Sequence, residues 1–142
     1  MKTDFTVLSS FRNRDIVNAF IDELRKRGYT CHNFCDEPAD PKNPDDDPEK
    51  QQQVFESVED FYNDEHFQKV FKKDLDGLKN AETVILLQPC GLSAHMEAGI
   101  AFGLGKRLLM IGPAVKPETL YLMFEERYDS AEDFLKTLPE KR

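Results

Sequence analysis

Cysteine is scarce in this sequence, long apolar runs are missing, and positive charge is the minority sign. Only three cysteines, Cys31, Cys35 and Cys90, occur in 142 residues. They cannot all pair, and they are too few for a disulfide framework in a chain of this size. The cluster Cys31-His32-x-x-Cys35 has the wrong order for haem attachment and lacks the two spaced pairs of a four-ligand zinc site, so no metal and no other cofactor is expected. The longest apolar runs, Thr83 to Leu87 and Leu108 to Ile111, fall far short of the roughly 20 residues that span a bilayer. The opening segment MKTDFTVLSSF lacks the apolar centre of a signal peptide. A cytoplasmic place with no membrane partner is the expectation. Nineteen Lys and Arg stand against 27 Asp and Glu, for a formal net charge of -8 and a pI near 4.9. Nucleic acid is therefore excluded as an expected partner, because binding its phosphates draws on an excess of basic side chains.

What is present is enough apolar material for one core. The chain is 39% hydrophobic and contains 11 Phe, which suits one domain over residues 1–142. Asp4 to Leu8 has the pattern of a strand. A helix follows, with Ile16, Val17, Phe20, Ile21 and Leu24 on one stripe, basic residues in its last turn and Gly28 as its stop. Tyr29 to Phe34 reads as a second strand. Strand, helix and strand with tight junctions make a βαβ unit and hence a parallel sheet.

From Asp36 to Lys50 the pattern gives way to DEPADPKNPDDDPEK, with Pro38, Pro41, Pro44 and Pro48. Seven acids and two lysines give this segment a net -5, and its prolines predict a loop. The Asp45-Asp46-Asp47 run has no calcium-loop spacing and is expected to be solvated. Helical spacing returns in two pieces, Gln52 to Tyr62 and Glu65 to Leu78. In the second, Phe67, Val70, Phe71, Leu75 and Leu78 form a stripe that Asp74 interrupts. Thr83 to Leu87 has the continuous apolarity of a central strand buried on both faces. After a turn at Gln88 to Leu92, Ser93 is expected to cap a helix running to Leu104, which Gly105 closes. Arg107 to Gly112 is a fourth strand. The tail offers a short helix at Glu118 to Phe124, an edge strand at Glu126 to Asp129, and a last helix capped by Ser130. The sum is an α/β, doubly wound, flavodoxin-like parallel sheet of four or five strands.

Such sheets bind ligands in the crevice at the carboxyl ends of their strands. Candidates are therefore Ser9, Ser10, Phe11 and Arg12 after the first strand, the acidic loop after the second, and Gly91, Ser93, His95 and Glu97 after the third. Ser93 and Glu97 lie one helical turn apart and share a face. Glu97 opens an otherwise apolar helix, where desolvation fits a carboxylate for work as a nucleophile or base. The plainer alternative remains open: Ser93 as a cap, Glu97 as a favourable first-turn charge, His95 in solvent, and Asp74 as a helical acid paired to a backbone N–H or an arginine. Gly103-Leu104-Gly105-Lys106 lacks phosphate-loop spacing and reads as a helix end.

Phe71-Lys-Lys-Asp74-Leu-Asp-Gly-Leu-Lys-Asn-Ala-Glu-Thr-Val-Ile, followed by Ser93-Ala-His-Met-Glu97-Ala-Gly-Ile-Ala-Phe-Gly-Leu-Gly-Lys106, resembles the nucleoside 2-deoxyribosyltransferase family and its relatives, the 2-deoxynucleoside 5-phosphate N-hydrolases. The resemblance extends to Ser9-Ser10-Phe11-Arg12 and leaves out the acidic loop and the tail. It implies that Glu97 is the nucleophile at the anomeric carbon and that Asp74 belongs to the active site. It also implies a small nucleoside or nucleotide as the partner and makes a homo-oligomer plausible. Gly91 stands where the transferases carry a second Asp that holds and protonates the base. Ser93 stands near the serine that helps the hydrolases bind phosphate. The expected activity is N-glycosidic bond cleavage or sugar transfer. The alternatives are a Toll/interleukin-receptor-like NAD glycohydrolase, which shares a similar sheet and a catalytic glutamate, and a nucleotide-binding module without turnover.

Overall fold

The computed structural model describes residues 2–141. Five strands, β1 (Thr3–Leu8), β2 (Cys31–Asn33), β3 (Ala81–Leu87), β4 (Arg107–Ile111) and β5 (Glu126–Tyr128), form one sheet in the order β2-β1-β3-β4-β5. Every pairing is parallel. Five α-helices connect them: α1 (Arg14–Lys26), α2 (Pro48–Glu56), α3 (Glu65–Asn80), α4 (Leu92–Gly103) and α5 (Ala131–Thr137). This is the flavodoxin-like order, with its switch point between β1 and β3. Among the described residues no helix is long and apolar enough to cross a membrane.

The period of two along β3 divides the core. Ile85 and Leu87 face α1 and α5, where they meet Val7, Val17, Phe20, Ile21, Leu24 and Phe134. Val84 and Leu86 face α3 and α4, against Leu8, Leu78, Ala94, Ala98 and Ala101. The three alanines repeat every three to four residues, so α4 lies close against the sheet. Gly28 and Gly105, at φ +92° and +73°, let the chain leave α1 and α4 in a left-handed turn.

Several boundaries differ from expectation. β2 is shorter than Tyr29–Phe34, because Asn33 turns the chain by accepting from the Cys35 N–H at 2.9 Å. α2 begins inside the expected loop: Pro48 takes the first helical position, where its missing N–H costs nothing, and Asp47 caps by accepting from the Lys50 N–H at 3.0 Å. α2 then stops at Glu56 rather than Tyr62. The acidic segment is pinned rather than free, since the buried Gln51 accepts from the Asp40 N–H at 2.6 Å and donates to the Asn43 carbonyl. Ile16 and Phe71, placed on apolar stripes by the sequence, are 62% and 65% exposed. The inward line of α3 runs through Val70, Asp74, Gly77 and Leu78, with Asp74 itself pointing inward.

Candidate active site

The carboxyl ends of β1, β2 and β3 open into a cavity of about 260 Å³. Ser9 to Arg12 border it from β1, Phe34 and Glu37 to Ala39 from β2, and Gly91 to Ala94 with Glu97 from β3 and α4. Val70 and Asp74 of α3 and Gln52, Phe55 and Glu56 of α2 complete the wall. α3 runs directly into β3 at Asn80 and Ala81, so earlier residues of α3 lie progressively nearer the carboxyl end of the sheet. Asp74 is six residues from that junction, about 9 Å up the helix. Its side chain leans toward the helix N-terminus and hence into the crevice.

Glu97 and Asp74 thus reach one cavity from two helices. Among the described residues neither carboxylate accepts a hydrogen bond, although His32 Nε2 lies 4.0 Å from Asp74 Oδ1. Burial, followed by the nearby negative charge of Asp74, pushes the Glu97 carboxyl up to about 8. At neutral pH Glu97 therefore keeps its proton.

The other charges in the wall are already paired. Arg12 is the only cation bordering the cavity among the described residues, and it donates to Glu49 at 2.7 Å and to Glu56 at 3.4 Å. These bonds clamp α2 over the site. Glu37 is held below the usual carboxylate range chiefly by its hydrogen bond from Lys73, with Lys69 adding to it at 3.5 Å. Apolar surface comes from Phe11, edge-on to Phe34 with ring centroids 6.4 Å apart, and from Phe55, stacked on Phe67 at 4.3 Å.

Some expected ligand-binding residues have other tasks. Ser9 is buried, donating to the Leu87 carbonyl at 2.9 Å and accepting from Asn13 at 3.3 Å, which ties the ends of β1 and β3 together. Ser10 caps the turn at Phe11–Asn13 by accepting from the Arg12 N–H at 3.2 Å. Ser93 does not cap α4: the helix starts at Leu92 after an extended Gly91, and no side chain caps it. Its first N–H groups are left for solvent or a ligand, and Ser93 borders the cavity one residue inside. His95 is not among the lining residues. The Gly91 carbonyl accepts from its Nδ1 at 2.7 Å, and its Nε2 shares a hydrogen bond with the Tyr121 hydroxyl at 2.8 Å. His95 therefore braces the loop before α4 and lies outside the cavity lining.

Sequence reasoning missed Phe34, Gln52, Phe55 and Glu56. The last three stand at i, i+3 and i+4 on α2, a spacing that marks a shared face once a helix starting at Pro48 is recognised. The three thiols are poor nucleophiles, since burial pushes Cys31, Cys35 and Cys90 each up to about 12.

A 2-deoxyribosyltransferase from the psychrotolerant bacterium Bacillus psychrosaccharolyticus superposes with a TM-score of 0.64 at 19% identity, covering 97% of each chain. This chain has the fold of that enzyme. The Toll/interleukin-receptor domain of the Toll-related receptor TRR-2 from Hydra magnipapillata matches with a TM-score of 0.52 at 15% identity, over 89% of this chain and 84% of that one. No family model and no curated protein matches the sequence. The likeness to the receptor domain is the weaker of the two in both TM-score and coverage.

Proposed function

We propose that the chain, as one nucleoside 2-deoxyribosyltransferase-like domain, cleaves the N-glycosidic bond of a nucleoside, or moves its sugar to another base, with Glu97 as nucleophile. The observation that carries this reading is the pair Asp74 and Glu97, which reach one cavity from two helices and, among the described residues, accept no hydrogen bond, with burial keeping Glu97 protonated at neutral pH. Departure of a base leaves an oxocarbenium-like sugar, which a carboxylate beneath the ring captures. Glu97 delivers its proton toward the leaving base, by way of Asp74 or water, and its carboxylate bonds to the anomeric carbon. Water or a second base then displaces the sugar, and the proton returns to Glu97. Asp74 accepts from the sugar hydroxyls and keeps Glu97 protonated before reaction. Since the proton needed by the base is already in the site, Gly91 in place of a second Asp does not halt the cycle.

The charge balance favours a nucleoside without phosphate. Arg12 is committed to Glu49 and Glu56 and Glu37 to Lys69 and Lys73, so among the described residues an entering phosphate meets no free cation, while Asp74 faces it with no Lys or Arg at salt-bridge distance. Purified protein incubated with nucleosides, their 5′-monophosphates and NAD, with free base followed by chromatography, should release base fastest from nucleosides. Adding a second free base separates transfer, which yields a new nucleoside, from hydrolysis. Binding without base release across that panel overturns the enzyme and leaves a nucleotide-binding module.

A further inference from the structure

The ring of His32 has no evident purpose in the fold. It lies on β2, beside Thr6 of β1, on the sheet face covered by α3. Its Nε2 is shut off from solvent and has no hydrogen-bond partner. A buried orphan of this kind costs stability unless it serves some task. α3 is cut away to admit it: a Cβ at Gly77 would stand 2.6 Å from Cδ2 and 2.9 Å from Nε2 of the ring. Gly77 is one turn beyond Asp74, so the ring is lodged beneath that carboxylate with Nε2 at 4.0 Å from Oδ1. That is just outside hydrogen-bond reach. The other charged groups at this corner are engaged or distant. Lys73 and Lys69 of α3 are turned to Glu37, Arg25 of α1 donates to the Cys31 carbonyl at 3.0 Å, Asp4 of β1 is bound by Lys141, and Asp36 lies beyond β2.

We propose that His32 is a positioning residue for Asp74: its Nε2–H closes onto Oδ1 as substrate fills the cavity, and fixes the other carboxylate oxygen toward the sugar. This rests on the glycosidase reading and deepens it. The resting gap is about 1 Å longer than a charged hydrogen bond, so a small side-chain rotation completes it. Gly77 belongs to the same device, because any side chain there displaces the ring.

The test compares His32→Phe, which fills the space without a donor, with His32→Gln, which keeps an N–H, each in the wild-type and Asp74→Asn backgrounds. His32→Phe should lower kcat about tenfold with KM within about twofold, the size of one hydrogen bond to a charged group. His32→Gln should recover most of that rate. In the Asp74→Asn background His32→Phe should add no further loss. An unchanged kcat in His32→Phe, or an equal loss with Asn at position 74, overturns the proposal. If the wild-type protein turns over no N-glycoside, the activity falls and the imidazole 15N spectrum decides the contact. A His32 Nε2 resonance that moves when a nucleoside is added to the wild-type protein, and does not move in Asp74→Asn, sustains it; one that stays in the wild type, or moves equally in both, overturns it.

Discussion

Changing Glu97 to Gln removes a group that the folded state holds in its neutral form, so the variant should lose activity and gain stability at alkaline pH. In the unfolded chain this carboxyl titrates near its ordinary 4.5, whereas burial and then Asp74 raise it to about 8 in the folded state. The native state therefore retains a proton that the unfolded state releases. The stability tied to that proton is fully present below 4.5 and is lost as pH rises toward 8, at about 1.4 kcal/mol per unit. Between about pH 6 and about pH 9 the wild-type protein should lose roughly 2 kcal/mol relative to Glu97→Gln, once solvent at the cavity mouth is allowed for. Glutamine has no such term and should leave the pH dependence of the rest of the protein. With no Trp and four Tyr in the chain, urea unfolding followed by far-ultraviolet circular dichroism at each pH is a suitable assay. Parallel stability curves for the two proteins would refute the burial argument, whatever the variant does to activity.

Other outcomes follow from the same geometry. Base release should hold level below neutrality and fall as pH rises through about 8, when Glu97 loses the proton the base requires; Asp74→Asn should shift that falling limb to lower pH, as seen in kcat/KM profiles, because the charge that helps raise Glu97 is gone. Arg12→Ala should release Glu49 and Glu56, and α2 with them, raising KM and speeding proteolytic cutting around residues 48–56. Phe134→Ala should destabilise by about 3–5 kcal/mol in urea titration, since this fully buried ring meets Phe5, Phe20 and Tyr128 edge-on, and it should leave KM unchanged in the folded fraction.

The parts of the molecule visible in the sequence are those set by local pattern. β3 announces itself through continuous apolarity, and α1 through its stripe and Gly28. Asp74 stands out because it occupies a position that packing reserves for an apolar side chain, and Glu97 because it is the one acid in an apolar helix. Features built across distance were hidden. Pro48 signals a break in the chain, yet after Asp47 it begins a helix. Arg12 is adjacent to β1 but is held by two acids of α2, and His95 is claimed by Tyr121, 26 residues away. Ser93 has the side chain of a cap, but the cap position falls two residues earlier, on an extended Gly91 that leaves the helix without a side-chain cap. The open end of α4 lies beside the cavity, where a side-chain cap would occupy ligand space.

Trapping the sugar on the protein tests the central claim most directly. A nucleoside bearing fluorine at the 2′ carbon destabilises the oxocarbenium-like state and slows release of a covalent intermediate. Intact-mass measurement followed by peptide mapping should find one fluorinated sugar on the peptide that contains Glu97, and none in Glu97→Gln. A sugar attached at any other residue, or undiminished base release by Glu97→Gln, would contradict the account.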